Sequence, residues 1–238
     1  MTPARYSRLK KVLNRRQPDL TLVTDYVHKG RNLAALIRSA DAVGIGDVHG
    51  VLSKDDFQVY RNTAKGSVDY VSLHRHASIE SAVEPLKQQG FQIVAAQLCQ
   101  DAVDFREIDY TQPTALMLGA ERYGVSEQGM SLADKSVVIP MMGMTESFNV
   151  SVAASIILME AMFQRQAKGL FDHRRITNEQ YEYFLFRWCH PKVRDFCDKH
   201  DLPYPAMRED GEIENASQWY AEARESLSSN SLIESKEH

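Results

Sequence analysis

Cysteine is scarce, three in 238 residues. The odd number suits a reducing compartment and excludes a disulfide framework. Long apolar runs are missing as well. None approaches the ~18 residues of a membrane-spanning helix, so no membrane association is expected. The opening Met1-Thr2-Pro3-Ala4-Arg5 leads into basic residues without the apolar stretch of a secretory signal, and the expected location is cytoplasmic. Collagen-like and wholly disordered classes are excluded too. The chain is 43% hydrophobic and 25% charged, the mix of a globular protein with one sizeable core and a smaller satellite.

Charge is spread unevenly. The net charge is −4, yet residues 1–16 hold Arg5, Arg8, Lys10, Lys11, Arg15 and Arg16 and no carboxylate. Residues 209–238 hold two cations, Arg224 and Lys236, against eight carboxylates. A basic arm on an acidic chain points to a polyanionic partner held locally; a solvated basic helix face is the alternative.

Thr2-Pro3 reads as an N-cap followed by proline in the first turn. Tyr6, Leu9, Val12 and Leu13 repeat at helical spacing until Pro18. Strands are then predicted over Leu20–Val23, Asp47–Leu52, Val68–Leu73, Phe91–Ala96, Ala115–Leu118 and Ser136–Ile139. Helices are predicted around Leu33–Ala40, over Ile79–Gln89 with Gly90 as terminator, and from Val150 to about Gln166. Short apolar strands alternating with helices describe an α/β domain whose parallel sheet is covered on both faces. The helix at Val150 is apolar nearly all round, which implies a second subunit against it. Beyond residue 169, Thr177-x-x-Gln180 forms a capping-box pattern. Tyr181, Phe184, Leu185 and Trp188 follow on one face, and Pro191 opens a shorter helix with Val193, Phe196 and Cys197 inward. The expected division is a basic helix at 1–18, an α/β domain at 19–169, a helical extension at 170–225 and a disordered tail at 226–238.

Several signatures are missing. No Gly-x-Gly-x-x-Gly follows a strand, and Gly119-x4-Gly124 lacks the Lys-Ser/Thr of a phosphate-binding loop. No Gly-x-Ser-x-Gly elbow occurs. Cys189, His190, Cys197 and His200 match no zinc spacing, so no metal site is expected. Three segments remain. Asn32 sits where a helix N-cap belongs, with Arg38 on that helix's polar side; an N-cap plus an Arg38–Asp41 pair would explain them without a ligand. Gly119 closes a strand and Glu121 follows two residues on, as a ligand crevice or a plain turn. Ile139–Asn149 is methionine-rich, then polar; it reads as a pocket wall, with Ser147 and Asn149 as ligand donors or as mere caps. All three lie where strands hand over to helices, which a parallel sheet gathers on one edge.

These segments resemble the three motifs of the SPOUT RNA ribose 2′-O-methyltransferases. The matching text is Asn32…Arg38, Gly119-x-Glu121 and Ile139-Pro140-Met141…Ser147-x-Asn149-Val150-Ser151-x-Ala153. Arg15-Arg16-Gln17-Pro18-Asp19-Leu20, Ala102–Thr111 and Asp201-Leu202-Pro203-Tyr204-Pro205 resemble the branch that methylates guanosine 18 in the tRNA D-loop. The resemblance spans residue 1 to about 220. It implies a SPOUT fold with a deep C-terminal trefoil knot, a homodimer through the knot region, S-adenosylmethionine as donor (S-adenosylhomocysteine as product), no metal, and tRNA as partner. Donor contacts are implied at Ala96, Gly119, Ile139 and Phe148, where Ala96 and Phe148 depart from the family's usual Thr and Leu. Catalytic roles are implied for Arg38, Asn32, Glu121, Ser147 and Asn149. RNA contacts are expected from Arg5, Arg8, Lys10, Lys11, Arg15 and Arg16, and beyond the knot from Arg165, Lys168, Arg174 and Arg175. Activity on ribosomal RNA, or RNA binding without catalysis, are the competing readings.

Overall fold

The structure is a computed structural model and describes residues 1–27, 29–52 and 69–234. In chain order the elements are α1 (Pro3–Leu13), β1 (Leu20–Asp25), α2 (Gly30–Ala42), β2 (Asp47–Val51), β3 (Ser72–His76), α3 (Ile79–Gln88), β4 (Gln92–Ala96) and β5 (Val103–Asp104). These are followed by β6 (Thr114–Gly119), α4 (Glu127–Leu132), β7 (Lys135–Val138), α5 (Val150–Ala167), α6 (Asn178–Cys189), α7 (Pro191–His200) and α8 (Ala216–Glu234). Two compact units emerge, one of residues 15–175 and one joining 1–14 to 176–238. The basic helix and the helical extension, expected as separate pieces, therefore form a single unit.

The larger unit is a parallel seven-stranded sheet in the order β3-β2-β1-β6-β4-β7-β5. Leu116 of β6 stands in register with Leu22 of β1 on one side and Val94 of β4 on the other. Every residue of β1 and β6 is buried, as continuous apolar runs demand of strands covered twice. One face packs on α2 and α5 through Leu36, Ile37, Ile157 and Leu158. The other packs on α3 through Ile79, Val83 and Leu86. Each such side chain stabilises the fold by about 1.5–3 kcal/mol on burial. The direction in which strands are added changes at β1 and β6, and in parallel sheets ligands gather at the carboxyl edge near such changes.

Four expectations change. The strand predicted at Val68–Leu73 runs over Ser72–His76 instead; Val68 lies outside the described residues. Tyr70 is turned away to offer its carbonyl to Arg16 at 2.7 Å. β5 is two residues long and carries no periodicity to read. The N-cap of α2 is Lys29, not Asn32, which frees the Asn32 carboxamide for a distant partner. Asp41 pairs with Arg16 at 2.9 Å rather than with Arg38. The backbone of the expected tail is helical as far as Glu234, and 235–238 lie outside the described residues.

In the smaller unit Thr2 caps α1 by accepting from the Arg5 amide at 3.3 Å. α1 then buries Leu9 and Leu13. The Thr177–Gln180 capping box forms as expected. Phe186, Val193 and Cys197 make the local core, with Phe196, Leu202 and Trp219 around it.

Candidate active site

The carboxyl ends of β4, β6 and β7 surround a cavity of about 640 Å³. Its walls include Ala96, Leu118, Val137, Ile139 and Ile157, an apolar lining at the sheet edge. Gly119 ends β6 and leaves no room for a side chain: a Cβ there would sit 1.9 Å from the Gly124 carbonyl carbon. Gly124 has φ +69°, closed to L side chains without strain, and a Cβ on it would strike the Gln97 carboxamide at 2.1 Å. The Gly124 amide donates to the Ala120 carbonyl at 2.8 Å. Residues 120–124 thus fold into a tight loop with its backbone against the strand end.

Glu121 rides on that loop and lines the cavity. Its carboxylate accepts from Asn32 and pairs with Lys29. The Asn149 carboxamide donates to Asn32 Oδ1 at 3.4 Å, and Asn149 Oδ1 accepts from the Ser151 amide at 2.9 Å. Three segments far apart in sequence therefore meet in one polar network at the cavity. Of the nine expected catalytic and donor-site residues, Ala96, Gly119, Glu121, Ile139, Ser147, Phe148 and Asn149 line the cavity. Asn32 reaches it through Glu121. Arg38 stands apart: it is exposed on α2, with no polar partner among the described residues. Met141 forms part of the wall, but Met142 and Met144 are 95% and 99% exposed, so the methionine-rich segment is wall and surface in turn. Lys29 and Gln97 belong to no sequence pattern that marks a site, and only the fold brings them to it.

The expected RNA-contacting cations divide sharply. Arg5, Arg8, Lys11, Arg15, Lys168 and Arg174 are exposed. Lys10 is half-buried, with its ammonium 4.4 Å from the Tyr6 ring centre. Arg16 and Arg165 contradict the expectation. Arg16 is buried and donates to the Ile45 carbonyl at 2.7 Å as well as to Asp41. Arg165 is fully buried and donates to Asp19, Gln17 and the carbonyls of Tyr110 and Gln112. Arg175 is half-buried in a two-point pair with Asp19. Burial opposes ionisation of Asp19, but hydrogen bonds from Arg175 and Arg165 outweigh it and hold the carboxyl below its usual range. These three arginines serve the fold.

A parallel sheet, a tight glycine turn at a strand end and a carboxylate held at the cavity define an α/β protein with a ligand-binding crevice at the sheet's carboxyl edge. Residues 19–159 match the model of the SpoU rRNA Methylase family, and 163–216 match the SpoU rRNA methylase C-terminal model. The chain belongs to the SpoU rRNA methylase family. It is 42% identical over 223 residues to a tRNA (guanosine(18)-2'-O)-methyltransferase of Escherichia coli, covering 93% of this chain and 97% of the relative. A protein of the same name from Thermus thermophilus is 46% identical over 187 residues, 79% of this chain and 96% of that one. Among solved structures, the TrmH/SpoU tRNA modifying enzyme of A. aeolicus superposes with a TM-score of 0.74 at 38% identity, covering 80% of this chain and 97% of that chain. The SpoU methyltransferase AviRb of Streptomyces viridochromogenes, solved with the cofactor AdoMet, gives 0.55 at 28% identity, covering 65% of this chain and 62% of that chain.

Proposed function

We propose that this chain transfers a methyl group from S-adenosylmethionine to the ribose 2′-hydroxyl of guanosine 18 in tRNA. The observation that carries this reading is the Asn32–Glu121–Asn149 network beside a cavity with an apolar floor. The residues present fit the donor: Leu118, Val137 and Ile157 suit a flat heterocycle, and Gly119 lets the 120–124 loop close against the strand end so that its backbone borders the cavity.

A sulfonium supplies a methyl already activated for displacement, so the chain needs to position the acceptor, manage its proton and exclude water. Glu121, fixed by Asn32 and Lys29, orients the ribose. Ser147 and Asn149, which line the cavity, orient the ribose and the loop before α5. Arg38 cannot act as a base, because a guanidinium stays protonated at neutral pH. Its exposed fork suits a phosphate of the substrate and the developing alkoxide, with the proton passing to phosphate or solvent.

Arg5, Arg8, Lys10, Lys11, Arg15, Lys168 and Arg174 are the proposed tRNA contacts. The homodimer and the trefoil knot belong to the same reading. Val152, Met159 and Phe163 form an exposed apolar row on α5 that a second copy would cover. β6 and β7 each enter the sheet between strands laid down earlier, as a knotted path requires. Among the described residues no helix is long and apolar enough to cross a membrane; the reading places the protein in the cytoplasm with its tRNA.

The test is incubation with labelled donor and bulk tRNA, followed by mapping of the modified nucleotide. Label confined to guanosine 18 supports the proposal, whereas label at other positions or in ribosomal RNA alone refutes it.

A further inference from the structure

We propose that Gln97 is a positioning residue for methyl transfer, fixing the Glu121 loop through its carboxamide oxygen; the catalytic part of this inference rests on the function proposed above. Gln97 is the first residue beyond β4, and it ties three strand ends together. Its backbone amide donates to the Val137 carbonyl at the end of β7, 3.2 Å away. Its side-chain oxygen accepts from the Val125 amide at 3.1 Å. Val125 directly follows the loop that begins after β6.

The side chain also acts as a wedge. The space that a Cβ of Gly124 would need is filled by the Gln97 carboxamide, and the space a Cβ of Gly119 would need is filled by Gly124 itself. Gln97, Gly124 and Gly119 are thus stacked without slack. A loop pinned at Val125 and closed by the Gly124–Ala120 hydrogen bond has little freedom left at Glu121. Without the pin, Asn32 and Lys29 would still attract the carboxylate, but the backbone beneath it would be free to shift. Small displacements of a positioned group cost rate steeply. The clamp needs an acceptor at that position and a side chain long enough to reach Val125.

Two variants separate acceptor from shape. Gln97→Met keeps length and apolar bulk but cannot accept strongly. Gln97→Glu keeps the acceptor. The readouts are hydrogen exchange at the Val125 amide and, separately, kcat and KM with tRNA. Gln97→Met is expected to speed Val125 exchange about tenfold, the loss of one ordinary hydrogen bond, and to lower kcat by about tenfold or more, with KM for tRNA within about twofold. Gln97→Glu is expected to keep Val125 protection and to recover most of kcat relative to Gln97→Met. The inference is overturned if Gln97→Met leaves either Val125 exchange or kcat within about twofold of the parent. It is equally overturned if Gln97→Glu loses Val125 protection as fully as Gln97→Met. The exchange arm needs no substrate, so it judges the clamp even if methyl transfer to tRNA fails.

Discussion

The carboxamide of Asn149 donates to that of Asn32 across 117 residues of sequence, and it does so while capping α5. One side chain thus starts a helix and joins two of the three segments that build the cavity. Replacing Asn149 with Ala removes both functions. The expected loss is about 1 kcal/mol of stability and about a hundredfold in kcat, the scale of one positioned polar group. Asn149→Asp keeps the cap and loses the donation, so its melting temperature should match the parent while its kcat stays low. Thermal unfolding and single-turnover rates measure the two.

Arg165 tests how a buried charge behaves. It has no exposed surface, and its partners Asp19, Gln17, Tyr110 and Gln112 all lie inside residues 15–175. Arg165→Ala would strand Asp19 between its remaining partners. A loss of about 3–5 kcal/mol is expected, with the salt dependence of tRNA binding unchanged in the folded fraction. Chemical denaturation and filter binding distinguish this from an RNA contact.

The exposed cations should do the opposite. Arg8→Gln combined with Lys11→Gln removes two charges from α1 that are open to solvent. Stability should move by less than about 0.5 kcal/mol. The slope of log K against log salt for tRNA should become shallower by about 1.5–2.

The histidine cluster on β2 and β3 predicts a pH-dependent stability. His49 Nδ1 lies 3.0 Å from His76 Nε2, and its ring stacks on His74 at 5.0 Å. Burial, then the neighbouring His74 and His76, lower the His49 pKa to about 4. In the unfolded chain it titrates near 6.5. A depressed histidine stabilises the fold above about pH 6.5, and that contribution drains away as pH falls from about 6.5 towards about 4. His74 works against this trend: its hydrogen bond with Asp47 raises its pKa, so its contribution is full below about 6.5 and is lost as pH rises. His76 is lowered by burial and follows His49. Urea midpoints should therefore fall between about pH 7 and about pH 4.5, and His49→Asn should flatten that fall.

Much of the sheet was legible because its central strands are continuous apolar runs, as at Leu20–Val23 and Ala115–Leu118, which suit few other environments. Edge elements were harder. β3 presents Ser72, His74 and His76, whose polarity disguises where the strand expected over Val68–Leu73 actually runs, and β5 is too short for any period. Motif residues were legible one by one, yet the network was not: the pairing of Lys29 with Glu121 spans 92 positions, and nothing local in either segment encodes it. Charge misled for a related reason. Arg16 and Arg165 read as surface cations because composition registers sign and not depth, and each is buried by carbonyls and carboxylates that other segments bring.

Arg38 is exposed on α2 without a polar partner among the described residues, a geometry open to a phosphate. Arg38→Lys keeps charge but loses the planar fork. It should lower kcat at least about tenfold while donor affinity stays within about twofold, and full turnover would rule out the clamp.

The most direct measurement is titration calorimetry of the purified protein with S-adenosylmethionine and with S-adenosylhomocysteine, alongside Gly119→Ala. Both compounds should bind the parent, and the variant, whose new Cβ would collide with the Gly124 backbone, should bind neither. Absence of binding by the parent, or undiminished binding by Gly119→Ala, would contradict the account.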